Sequence, residues 1–156
     1  MLLTEPKDRK FFDWLITTGV FTRSQFNSWS KPDEGQLFPV LLSNSHLIND
    51  EAYIKSGLAF SPKNLHLPTL QLDVTFVRKF PKPLLISLVR QFNVLPLAQH
   101  GQTQWFALPY FFNFNLAEFC DVLNIDPKTP AFSIITPSHY QEYSNQLIAQ
   151  APEYDA

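Results

Sequence analysis

The feature that most restricts what this chain can fold into lies between Leu84 and Phe106. Apolar residues at Leu84, Leu85, Leu88, Val89 and Phe92 recur at helical spacing and lead directly into Asn93-Val94-Leu95-Pro96-Leu97. A polar turn, Gln99-His100-Gly101-Gln102, separates that run from Gln104-Trp105-Phe106-Ala107-Leu108. The pattern predicts a helix that delivers the chain into a β-hairpin. It also divides the sequence into two halves of different character.

The first half reads as helical over residues 8–60. Phe11, Phe12, Trp14, Leu15 and Ile16 form an apolar stripe that stops at Gly19, a glycine well placed to end a helix. Thr22 is a candidate N-cap, with Phe26 and Trp29 at helical spacing after it. Lys31-Pro32-Asp33-Glu34-Gly35 is a loop by composition. Leu37, Phe38, Val40, Leu41 and Leu42 make the next stripe, and Asn49 or Asp50 caps a further helix carrying Ala52, Tyr53, Ile54 and Leu58. Leu15–Thr22 aligns with Leu42–Asn49 as a weak internal repeat: a helix ends, two apolar residues pack down, and a polar cap starts the next helix. With no third copy, the repeat implies two stacked helical hairpins.

Residues 61–83 contain Pro62, Pro68, Pro81 and Pro83 and read as a connector, with one helical turn at Phe76 and Val77. The second half reads as helix (about 82–92), strand (about 93–99), strand (about 103–109), helix (115–124), strand (131–136) and helix (138–149). The expected fold class is therefore α+β. A helical lobe over 1–72 precedes a three-stranded α/β sandwich of helix-strand-strand-helix-strand-helix order over 73–150, and 151–156 is a tail or linker.

The order of these elements resembles the amino-terminal domain of type II secretion and type IV pilus assembly ATPases. The resemblance runs over residues 10–150. It rests on Leu15-Ile16-Thr17-Thr18-Gly19-Val20-Phe21, a second such unit through Leu47-Ile48, Ala52-Tyr53-Ile54-Lys55-Ser56-Gly57-Leu58, and the helix entering Asn93-Val94-Leu95-Pro96-Leu97. It implies a non-catalytic docking domain that joins the motor ATPase to the cytoplasmic part of an inner-membrane platform protein. A branch of that family binds cyclic di-GMP through two motifs beginning Arg-Leu-Gly. Here those positions hold Lys10, Phe11 and Phe12 in the first copy and Leu37, Phe38 and Pro39 in the second. The later glycine survives as Gly19 and is replaced by His46. Arginine grips phosphate bidentately and glycine lets backbone approach a ligand, so the substitutions remove the clamp; Lys10 and Gly19 are what the ligand-binding alternative retains. Relatives carry an Asp-Pro turn after the second hairpin strand, where this chain has Pro109-Tyr110-Phe111-Phe112.

No catalytic residue is assigned. The phosphate loop Gly-x-x-x-x-Gly-Lys-Ser/Thr is missing: none of Gly19, Gly35, Gly57 and Gly101 leads into Lys-Ser or Lys-Thr. ATP hydrolysis would belong to a separate domain or chain. Cys120 lies on the stripe Leu116-Phe119-Cys120-Leu123 and reads as a buried structural thiol. His46, His66, His100 and His139 lack metal-ligand spacing, and no cofactor or metal is expected. The net charge of -2 gives no general attraction to nucleic acid. A single cysteine, no basic-then-apolar start and no run near about 20 apolar residues point to a cytoplasmic setting without membrane insertion, and the resemblance implies a position peripheral to the inner membrane through a partner.

The candidate partner-binding surface is aromatic. Tyr110, Phe111, Phe112 and Phe114 crowd one short segment, and either two or three of them cap the core or they form an exposed apolar patch. Phe11, Trp14 and Trp29 supply a second candidate surface on the helical lobe, where the rings exceed what a small core obviously needs.

Overall fold

The computed structural model describes residues 3, 6–29, 35–59, 65–66, 73–110 and 115–151. Helix α1 (Pro6–Thr17) opens with proline at its first position and buries Asp8, Phe11, Phe12 and Leu15, the i, i+3, i+4, i+7 set of one helical face. It ends as the sequence requires. Gly19 sits at φ +82°, its N–H donates to Ile16 C=O (3.2 Å), and Val20 N–H donates to Leu15 C=O (3.0 Å). That pair of bonds is a Schellman motif, and buried Val20 and Leu15 supply its apolar contact.

Helix α2 (Arg23–Ser28) begins with the expected cap. Thr22 Oγ1 accepts from Gln25 N–H (3.1 Å) and Gln25 Oε1 accepts from Thr22 N–H (2.8 Å), a complete capping box. Helix α3 (Leu37–Ser43) has no cap from its own Gln36. Buried Asp8 supplies it from α1, its Oδ2 accepting from Leu37 N–H at 3.2 Å. A 3₁₀ turn (Ser45–Leu47) leads to α4 (Asp50–Ala59), where Asn49 Oδ1 accepts from Ala52 N–H (3.1 Å). Thr22 and Asn49 therefore do the same work at equivalent places, as the repeat predicts. Asn49 N–H also donates to Val20 C=O (3.4 Å), which ties one repeat unit to the other.

Strand β1 (Leu65–His66) and helix α5 (Val74–Val77) lie in the connector. Asp73 Oδ1 caps α5 at Phe76 N–H (3.2 Å). Helix α6 (Lys82–Phe92) spans the residues expected of it and stops at Asn93, which takes the left-handed conformation at φ +55°. The hairpin is β2 (Leu95–His100) and β3 (Thr103–Leu108). Gly101 opens its two-residue loop at φ +61°, the place where a II′ turn needs glycine. Then follow α7 (Leu116–Leu123), β4 (Pro130–Ile134) and α8 (Pro137–Gln150).

The fold is α+β. The three expected strands form a mixed sheet, β2 antiparallel to β3 and β3 parallel to β4, and the two residues of β1 extend it in the order β1-β4-β3-β2. Phe106 sits at the centre of the sheet, ringed by Phe76, Phe80, Phe119 and Phe132 with centroids 5.0–6.2 Å away. At the edge strand β2, Tyr143 O–H donates to Pro96 C=O (2.8 Å) and Asp73 N–H donates to Leu97 C=O (2.9 Å).

The apolar core is continuous from α1 to α8. Its bridge is a chain of rings: Tyr53 on Phe11 (6.0 Å), Phe11 on Tyr110 (5.8 Å), Tyr110 on Phe38 (5.0 Å) and Phe38 on Tyr140 (6.2 Å). Tyr53 O–H donates to Pro109 C=O within this bridge.

Candidate docking surface and inter-repeat groove

The aromatic residues expected to face a partner divide sharply. Phe11 is 1% exposed, Tyr110 7% and Trp29 8%. Phe11 and Tyr110 are held by the ring bridge just described. Trp29 joins Phe12, Phe21 and Phe26 in a second cluster, with Phe12–Phe26 at 4.6 Å and Phe21–Trp29 at 4.8 Å. These three rings are core, which corrects their expected exposure. The physical reason is that the first helices pack against β4, α8 and Tyr110 as well as against one another, so they need more rings than an isolated lobe of their size. Trp14 is different: at 39% exposed it projects from the outer side of α1. Phe111 and Phe112 lie outside the described residues.

The ligand-binding alternative rests on Lys10 and Gly19. A groove of about 530 Å³ opens between the two repeat units, lined by Gly19, Thr22, Arg23, Gln25, His46 and Asn49 among others. Gly19 is there, and a Cβ built on it would meet nothing within 4 Å. Lys10 is exposed on α1 and is not part of the lining, so the structure does not bring these two together in the groove. Thr22, Gln25 and Asn49 already bond helix N-termini. Arg23 lies 3.7 Å from the Asp13 carboxylate and 5.3 Å above the Phe12 ring. The polar rim is mostly committed to holding the helices themselves.

The other chemistry-bearing side chains are structural. Cys120 is buried on α7, and burial, with Asp121 and Asp126 adding to it, pushes its thiol up, away from the reactive thiolate. Burial also holds the Tyr53, Tyr140 and Tyr143 phenols well above their ordinary range. Among the described residues no three His, Cys, Asp or Glu side chains converge as a metal site would require, and no helix is long and apolar enough to cross a membrane.

Asp8 is the structural residue that sequence reasoning passed over. Its spacing to Phe11, Phe12 and Leu15 places a carboxylate on the buried stripe, and a buried carboxylate requires a donor. That spacing was the available signal.

Neither a protein-family model nor a curated protein sequence matches the chain. The structure does have a solved counterpart. The chain is similar to the N-terminal domain of XpsE, with a TM-score of 0.53 at 10% identity, over 97% of this chain and 99% of that one. At that identity the likeness is one of fold, and it runs the whole length of both chains. The fold of this protein is thus that of the N-terminal domain of a type II secretion ATPase.

Proposed function

We propose that the chain is a non-catalytic docking domain of type II secretion or type IV pilus assembly. It links a motor ATPase to the cytoplasmic part of an inner-membrane platform protein and is itself cytoplasmic. The observation that carries this reading is the end-to-end correspondence with the XpsE N-terminal domain, a part of a secretion ATPase distinct from its catalytic domain. The absence of a phosphate loop from the sequence agrees with it. Trp14 is the exposed aromatic anchor for such a contact, and Phe111 and Phe112 are proposed to extend it. Co-purification of the folded chain with the cytoplasmic part of a platform protein tests the reading. Capture that weakens on Trp14→Ala supports it; no capture of either a platform protein or a motor domain sinks it.

One observation favours a second reading, cyclic di-GMP or other nucleotide sensing. The groove between the repeat units is large enough for a small ligand and keeps Gly19 in its wall. A calorimetric titration with cyclic di-GMP separates the two: micromolar binding supports the sensor, and flat heats reject it.

A further inference from the structure

Helix α1 presents Trp14 in a cationic setting. Lys7, Lys10 and Trp14 follow one another at i, i+3 and i+7, so they share one side of the helix, and all three are exposed. Arg9 is exposed on the same helix. The two acids of α1 are engaged elsewhere. Asp8 is buried, its Oδ2 accepting from Leu37 N–H at 3.2 Å. Asp13 lies 3.7 Å from Arg23. Lys7, Arg9 and Lys10 form no ion pair among the described residues. The outer side of α1 is thus cationic in a chain whose net charge is -2.

Resting on the docking reading above, we propose that this side of α1 receives an acidic protein segment. An apolar or aromatic side chain of the partner lies on the Trp14 indole, and carboxylates flanking it meet Lys7 and Lys10. Tryptophan is a strong anchor at the centre of an interface. Lysine stems can pack beside it while their ammonium groups stay at the wet rim. Opposite charges there speed encounter and turn away basic partners. An anionic bilayer carries the same sign of charge but suits this face less well. Phe11, Phe12 and Leu15 of the apolar stripe are buried, and Trp14 is the one large apolar side chain that α1 exposes among the described residues. A helix that lies in a membrane surface needs a whole apolar face to sink into it.

The test measures binding kinetics of the full chain with whichever captures it, the cytoplasmic part of the platform protein or the motor domain. Salt is raised from about 0.1 M to about 1 M, which shortens the Debye length from about 10 Å to about 3 Å. Affinity should fall by about tenfold or more, chiefly through slower association. Lys7→Glu combined with Lys10→Glu should weaken binding by about tenfold or more at an unchanged melting temperature. The same change of charge at Arg78 and Lys79, exposed on α5, should leave affinity within about twofold. Binding that ignores both salt and the α1 reversal overturns the acidic partner and leaves docking in place. Capture by neither protein sinks docking and the acidic partner together. Equal losses from the α1 and α5 reversals would also overturn it, because net charge rather than this face would then govern binding. So would attachment to phosphatidylglycerol vesicles that the α1 reversal abolishes; the face would then belong to a lipid surface.

Discussion

Gly57 on α4 lies so close to Ile134 on β4 that a Cβ built on the glycine would stand 1.9 Å from Ile134 Cδ1. Both residues are buried, so neither can move into solvent. Gly57→Ala gains about 1 kcal/mol of helix propensity but overpacks a filled core, which costs about 1–3 kcal/mol. Net destabilisation of about 1 kcal/mol is expected in urea unfolding. Ile134→Val removes the offending methyl, so the pair should show a favourable coupling in a double-mutant cycle; simple additivity would refute the contact.

Asp8 caps a helix 29 residues away. Asp8→Ala should cost about 1–2 kcal/mol, because Leu37 N–H loses its acceptor in a buried place. Asp8→Asn keeps an oxygen there and should lose less. Chemical denaturation of the two variants checks this, and equal losses would mean that charge rather than hydrogen bonding is what counts.

Gly19 is required by backbone geometry rather than by space. Its φ of +82° is strained for any L-residue with a Cβ, yet its Cβ position is open. Gly19→Ala should cost about 1 kcal/mol. A D-alanine introduced by chemical synthesis should recover the loss. If thermal melts place L- and D-alanine together, the left-handed cap is not the reason for the glycine.

The buried phenols make the fold sensitive to alkali. Tyr53, Tyr140 and Tyr143 have folded pKa values raised above the unfolded value by burial. Above about pH 10 the unfolded chain releases these protons and the native chain does not, so the native state loses relative stability as pH rises. Stability should begin to fall above about pH 8, where the buried Cys120 thiol first contributes, and fall more steeply above about pH 10, by up to about 1.4 kcal/mol per pH unit for each such tyrosine. Ultraviolet titration of the native chain should show these phenols ionising only with unfolding. Ionisation of all five tyrosines near pH 10 with the fold intact would contradict this.

Trp14 and Phe11 are three residues apart on α1 and should behave oppositely. Phe11→Ala removes a ring from the bridge between Tyr53 and Tyr110 and should cost about 3–5 kcal/mol. Trp14→Ala should change stability by no more than about 0.5 kcal/mol and act on partner capture alone. A large melting shift for Trp14→Ala would remove it from the proposed docking surface.

Local signals made most of the elements legible. The spacing Leu84–Phe92 and its flanking Pro81 and Asn93 delimit α6 without reference to anything distant. The caps at Thr22 and Asn49 could likewise be read from side chains that bond their own next turn. Strand β1 could not: two residues between Pro62 and Pro68 carry no period, and Leu65 becomes a strand only by pairing with Phe132. The burial of Phe11, Tyr110 and Trp29 was hidden for a related reason. Ring-rich composition says how many aromatics exist but not which cavities await them, and Phe11 and Tyr110 are consumed by one another across 99 residues of sequence. Trp14 stands out only once the buried face of α1 is known.

The anchored carbonyls of Pro96 and Leu97 limit how this molecule can be joined to others. A strand arriving beside β2 would find a proline with no amide to offer and two successive oxygens already engaged by Tyr143 and Asp73. Lengthening of the sheet by a foreign chain is thereby discouraged along that margin. Beside β2, contact with another molecule falls instead to side chains, whose identity can vary without disturbing the hydrogen-bonded frame beneath.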